Sequence, residues 1–156
     1  MTRRIGAELS PALVDRLSQR DLSQMLGRAI PLITVDAAWR PHPMLCSYLE
    51  LLAVDPRTIR VAITAPSGSA TNLAERRAAT LLLVERGLTV YVKCRAAGPP
   101  RAVGSLARFD LMVEDVLEDI ATEAEGDAAI TGGMTYAPVP AMDSELVRET
   151  MRVLRA

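Results

Sequence analysis

Pro66-Ser67-Gly68-Ser69-Ala70-Thr71-Asn72 gathers three hydroxyls and an amide in one short stretch. It follows a strand-like run and precedes a helical pattern. A helix start offers unpaired backbone N–H groups and the positive end of the helix dipole. Neutral donors and oriented amides around a dianion make a phosphate site. A capped loop uses the same residue types, so the residues alone leave both readings open. Arg76 and Arg77 follow within the first turns. Each would add a charge-assisted contact of about 1.5–3 kcal/mol where it faces the anion. The segment is neither a GxxxxGK[ST] loop nor a GxGxxG turn.

Self-sufficient chemistry is scarce elsewhere. His42 is the single histidine, and Cys46 and Cys94 have no CxxC spacing. No two-histidine metal site can be built, and no metal ligands are assigned. Both cysteines lie in apolar, strand-like runs and read as buried free thiols. There is no GxSxG, no HExxH and no neighbouring Cys-His pair. His42 sits between two prolines and faces either a ligand or solvent. Trp39, in the same loop, either covers a pocket or packs.

The net charge of −1 gives no electrostatic footprint for duplex nucleic acid, and five aromatics are few for stacking single-stranded bases. Lys93 is the only lysine among 18 basic residues. No apolar run reaches the roughly 18 residues of a membrane span. The N-terminal residues lack the apolar block of a signal peptide. The expectation is a cytoplasmic chain with no nucleic-acid or membrane partner. At 156 residues and 49% apolar composition, it forms a single domain over residues 1–156.

The elements that position these residues follow from periodicity. Ser10-Pro11 is a helix start, and helical spacing runs over about residues 11–27 with a break near 18–20. Strands are expected over residues 30–35, 44–54, 58–64, 79–84 and 88–95. One strand or a pair follows over 102–116, and a short last one over 130–136. Glu85-Arg86-Gly87 reads as a hairpin turn. Asn72 with Glu75 is a capping-box pattern that opens a helix over 73–78. Asp143 or Ser144 caps a final helix over about 144–155. Residues 114–127 carry acids and no base, the mark of a solvated segment. Frequent turns and no long crossover give a mainly β (α+β) fold, an antiparallel sheet curled into a small barrel with short peripheral helices.

The block from Arg60 to Leu83 resembles the FMN-binding split-barrel proteins of the pyridoxamine 5′-phosphate oxidase-like superfamily. Those proteins read strand, Ser-Arg-Thr-x-x-Asn-Leu, short helix, Leu-rich strand. Ser67 and Asn72-Leu73 match that order, Ser69 stands for the threonine, and the family arginine falls on Gly68. Ile33-Thr34-Val35-Asp36 with Arg40-Pro41-His42-Pro43 resembles the first hairpin, and Tyr91 to Ala96 resembles the Val-Lys-Gly-x-Ala strand. The ordered set covers most of residues 9–136.

The resemblance implies a six-stranded antiparallel split β-barrel and a homodimer with FMN at its interface. It places the phosphate near Ser67, Ser69 and Asn72, with Thr71 and Arg77 as further contacts. The ring lies along Ala62, Ile63, Thr64 and Ala65, and near Ser47. Glycine at position 68 implies weaker FMN binding unless Arg76, Arg77 or Lys93 substitutes. The implied activity is FMN-dependent oxidoreduction of a small molecule, with no catalytic side chain assigned. The alternatives are a non-catalytic flavin- or haem-binding protein, a deazaflavin user, or a dimeric interaction protein that has lost its cofactor.

Overall fold

Period-two burial builds the sheet. Strand β2 (Ala29–Val35) turns Ile30, Leu32 and Thr34 inward and leaves the residues between them half-buried. β5 (Thr58–Thr64), β6 (Ala78–Glu85) and β7 (Leu88–Ala96) likewise turn inward Ile59, Val61 and Ile63, then Ala79, Leu81 and Leu83, and then Val90, Val92 and Cys94. The computed structural model describes all residues 1–156. The remaining strands are β1 (Thr2–Gly6), β3 (Pro41–Ser47), β4 (Leu51–Asp55), β8 (Arg101–Val103) and β9 (Leu106–Asp119). The helices are α1 (Pro11–Arg16), α2 (Leu22–Met25), α3 (Gly68–Arg76) and α4 (Glu145–Arg155). A core of 29 buried residues runs through the sheet.

The strands follow the path β3-β2-β6-β7-β9-β5-β4, and β1 and β8 both pair with β9. Every ladder is antiparallel. β9 is the longest strand, at 14 residues. Its first half pairs with β5 and its second half with β7. A bulge at Glu114, where Lys93 faces Asp115 and Cys94 faces Val113, bends it between the two. The two ends of the path, β3 and β4, are consecutive in the chain and joined by a 3-10 turn, Tyr48–Glu50. The sheet therefore curls until its ends meet, but no ladder closes them. Gln19, between α1 and α2, ties down the turn and the start of β4. Its Nε2 donates to the carbonyls of Leu49 at 2.9 Å and Leu51 at 3.0 Å.

Several details depart from the sequence reading. The sheet has nine strands, seven of them in the continuous path, rather than six. β1 is exposed and carries no apolar alternation; Arg3 and Arg4 hold it to Glu118 and Asp115 of β9. β8 is only three residues long and pairs back on β9. The run expected over 44–54 is cut in two because Glu50 returns its carboxylate to the Ser47 N–H and Oγ, which closes the 3-10 turn. Residues 130–136 form no strand; a single bridge joins Arg28 and Thr135. The break in the first helical region separates α1 from α2, and Ser144 is the residue that caps α4.

Candidate functional site

α3 starts five residues earlier than the Asn72–Glu75 pattern suggests. Ser67 is its N-cap, with Oγ accepting the Ala70 N–H at 3.2 Å. The amides of Gly68 and Ser69 have no carbonyl one turn back and must be satisfied from outside the helix. A Cβ built on Gly68 would meet His42 Nε2 at 3.3 Å and Cε1 at 3.4 Å. The imidazole, from β3, thus occupies the space that a side chain at position 68 would enter. Neither ring nitrogen makes a hydrogen bond in the chain; the residue's only side-chain-linked bond is its carbonyl, which accepts from Thr34 Oγ1 at 3.2 Å.

Asn72 lies inside α3, buried, and its Nδ2 donates to the same Thr34 Oγ1 at 3.0 Å. Thr34 therefore ties α3 and β3 to β2, and this sets the approach of Gly68 to His42. The site at the start of α3 brings together Ser67, Gly68, Ser69, Thr71 and His42. Ser69 is buried and Thr71 is exposed. Thr64 is exposed and Ala65 half-buried, both just ahead of the helix.

The other sequence-derived residues lie apart from this group. Arg77 is at the opposite end of α3, in the left-handed region at φ 67°, where its guanidinium donates to the carbonyls of Ala96 and Ala97. Arg76 pairs with Glu75. Lys93 is exposed on β7, beyond the strands β2, β3, β5 and β6 on which α3 packs. Ile63 points into the core, and Ala62 is fully buried under α4 beside Leu52, Val153 and Leu154. Arg60 fixes that helix by donating Nη1 to the Leu154 carbonyl at 2.8 Å. Trp39, in the turn between β2 and β3, is 79% exposed.

A separate cleft of about 690 Å³ opens at the far end of β3. Leu45, Ser47 and Glu50 form one wall; residues 134–140 and the start of α4 form the other. Ser47, the sequence-derived ring contact, therefore faces this cleft rather than the start of α3. Burial raises the Glu50 carboxyl above its usual range, opposed by its two bonds from Ser47. Sequence reasoning missed Glu50, although Ser47-x-x-Glu50 is itself a capping-box pattern. Both thiols are raised by burial, Cys94 to about 12, which leaves them poor nucleophiles. No three His, Cys, Asp or Glu side chains group as metal ligands. No helix is long and apolar enough to cross a membrane.

No protein-family model matches the chain, and no curated protein matches it. Solved structures do. A candidate pyridoxamine 5′-phosphate oxidase from Lactobacillus delbrueckii aligns with TM-score 0.55 at 15% identity, over 73% of this chain and 98% of that one. An FMN-binding protein from Syntrophomonas wolfei aligns with TM-score 0.55 at 11% identity, over 71% and 89%. The flavin reductase PheA2 aligns with TM-score 0.51 at 10% identity, over 83% and 100%. These likenesses establish a shared fold, the split barrel of the pyridoxamine 5′-phosphate oxidase-like proteins.

Proposed function

From that shared fold, we propose that this chain binds FMN and serves as an oxidoreductase for a small molecule. The single observation that carries the reading is the start of α3. There an imidazole without a partner stands over a glycine, beside the hydroxyls of Ser67, Ser69 and Thr71 and the free amides of Gly68 and Ser69. These groups fit a phosphate: all can donate, and the missing Cβ makes room for the imidazole beside the helix start. His42 stands in for the family arginine that Gly68 lacks. The same contact explains the glycine, since the imidazole and a side chain at 68 compete for one space.

The bound flavin supplies hydride and electron transfer. The chain's own residues bind and orient it. Ser67, Ser69, Thr71 and His42 hold the phosphate end, and Thr64 and Ala65 offer the accessible surface for the ring. Because Ala62 and Ile63 are buried within the chain, one copy supplies only part of a ring pocket. A second copy completes it, which makes the working unit a homodimer.

The test is titration of purified protein with FMN, followed by flavin fluorescence and size-exclusion light scattering. Quenching at one FMN per chain in a dimer supports the proposal, and NAD(P)H oxidation by the loaded protein supports the activity. Colourless protein that quenches no added FMN overturns the reading. Binding without turnover of any reductant leaves the second reading, a flavin carrier.

A further inference from the structure

The cleft beside Glu50 has a charge pattern of its own. Glu50 Oε2 accepts the Ser47 N–H at 2.6 Å and the Ser47 Oγ at 3.0 Å. Its Oε1 takes no bond from the chain, and the residue lines the cleft. None of the 14 lining residues is Arg, Lys or His, and most are apolar. A carboxylate drawn out of water without a countercharge is costly, and the cost falls when a cation pairs with it. The opposite wall is fixed in place. Ala29 N–H donates to the Met134 carbonyl at 2.9 Å and Tyr136 N–H to the Gly27 carbonyl at 2.8 Å. Gly27, at φ +86°, has room for no side chain: a Cβ there would meet Val139 Cγ2 at 2.9 Å. A Cβ on Gly133 would meet the Val84 carbonyl oxygen at 2.2 Å, so this segment can lie here only with glycine at that position.

We propose that this cleft is a binding site for a small organic cation, an apolar body carrying one protonated amine, with the ammonium on Glu50 Oε1 and the body against Leu45, Val139 and Leu146. Its volume lies in the range of drug-sized ligand sites. Burial keeps the carboxyl above its usual range in the empty cleft, and an ammonium partner reverses that. The proposal goes beyond the flavin reading and uses none of the residues at the start of α3.

The test compares 2-phenylethylamine with 2-phenylethanol, its neutral counterpart, by calorimetry on flavin-free protein. The amine is expected to bind at least about tenfold more tightly, as a charge-assisted hydrogen bond implies. Glu50→Gln can still accept the Ser47 bonds and is expected to bind both probes alike. Val139→Trp fills the cleft without touching the carboxylate. It is expected to abolish amine binding with an unchanged melting curve, and this holds the test open if Glu50→Gln fails to fold. Equal binding of the two probes to the wild-type chain, no binding of either, or an amine preference that survives Glu50→Gln overturns the proposal. Because no flavin is present, failure here leaves the FMN reading standing, and failure of FMN binding leaves this one standing.

Discussion

Replacing Asn72 with alanine tests the tie that positions the start of α3. Asn72 Nδ2 donates to Thr34 Oγ1, which in turn donates to the His42 carbonyl, and both Asn72 and Thr34 are buried. Alanine leaves the Thr34 oxygen without its donor in a place water does not reach, at a cost of about 1–3 kcal/mol. Alanine also favours the helix by roughly 0.5 kcal/mol, so the net loss is about 0.5–2.5 kcal/mol. For a chain of 156 residues this lowers the melting temperature by about 1–10 °C. The decisive assay is a double-mutant cycle with Thr34→Val, read by urea unfolding. If the two side chains act through one bond, the double mutant costs less than the sum of the singles by at least about 0.5 kcal/mol. Additivity within about 0.3 kcal/mol would refute the tie and, with it, the account of how β2 sets the His42–Gly68 approach.

Glu85 accepts from Arg16, from Arg28 at 2.6 Å and from the Tyr48 hydroxyl, and its side chain is 13% exposed. Glu85→Ala is expected to cost about 2–3 kcal/mol, discounted for the part-exposed arginines, and calorimetry should show a fall of about 4–12 °C. Because Cys46 and Cys94 are buried with raised thiol pKa values, iodoacetamide should label neither in the native chain at pH ~8 and both in denaturant. Glu50 has a folded carboxyl raised above the ordinary 4.5, so the folded chain binds its proton more readily than the unfolded chain does. That contribution is present at low pH and is lost as pH rises through the raised value. Glu50→Gln should therefore gain stability relative to wild type between acid and neutral pH, with melting curves at several pH values as the check.

Much of the fold was legible because its driving pattern is local. The β6–β7 hairpin shows as two apolar runs around Glu85-Arg86-Gly87, and α4 shows as a capping serine ahead of an apolar stripe. β1 was not legible, since its stability comes from arginines pairing with acids more than a hundred residues away. The acidic run that looked merely solvated includes those partners. Asn72 and Ser67 are equally good caps by type, and only tertiary structure decides between them: Asn72 is buried against β2 and leaves the cap to Ser67. The hydroxyl-rich turn was read from residue types, but the part His42 plays there needed the two hairpin strands in register, His42 opposite Thr34. The Glu50 cleft needed residues 134–140, whose only regular pairing is one bridge made by two backbone bonds, too little to imprint a period on the sequence.

Gln19 holds the turn between β3 and β4 with one buried amide and sits at φ 62°, in the left-handed region where an L side chain is strained. A single side chain there supplies the donor that the Leu49 and Leu51 carbonyls would otherwise lack. Gln19→Ala leaves those carbonyls without a donor, and hydrogen exchange should then reach the amides of residues 48–53 sooner than in the wild-type chain. The turn also carries Glu50, so one wall of the cleft rests on that amide. A side chain in the α1–α2 connection thus sets the shape of a cleft that it does not line.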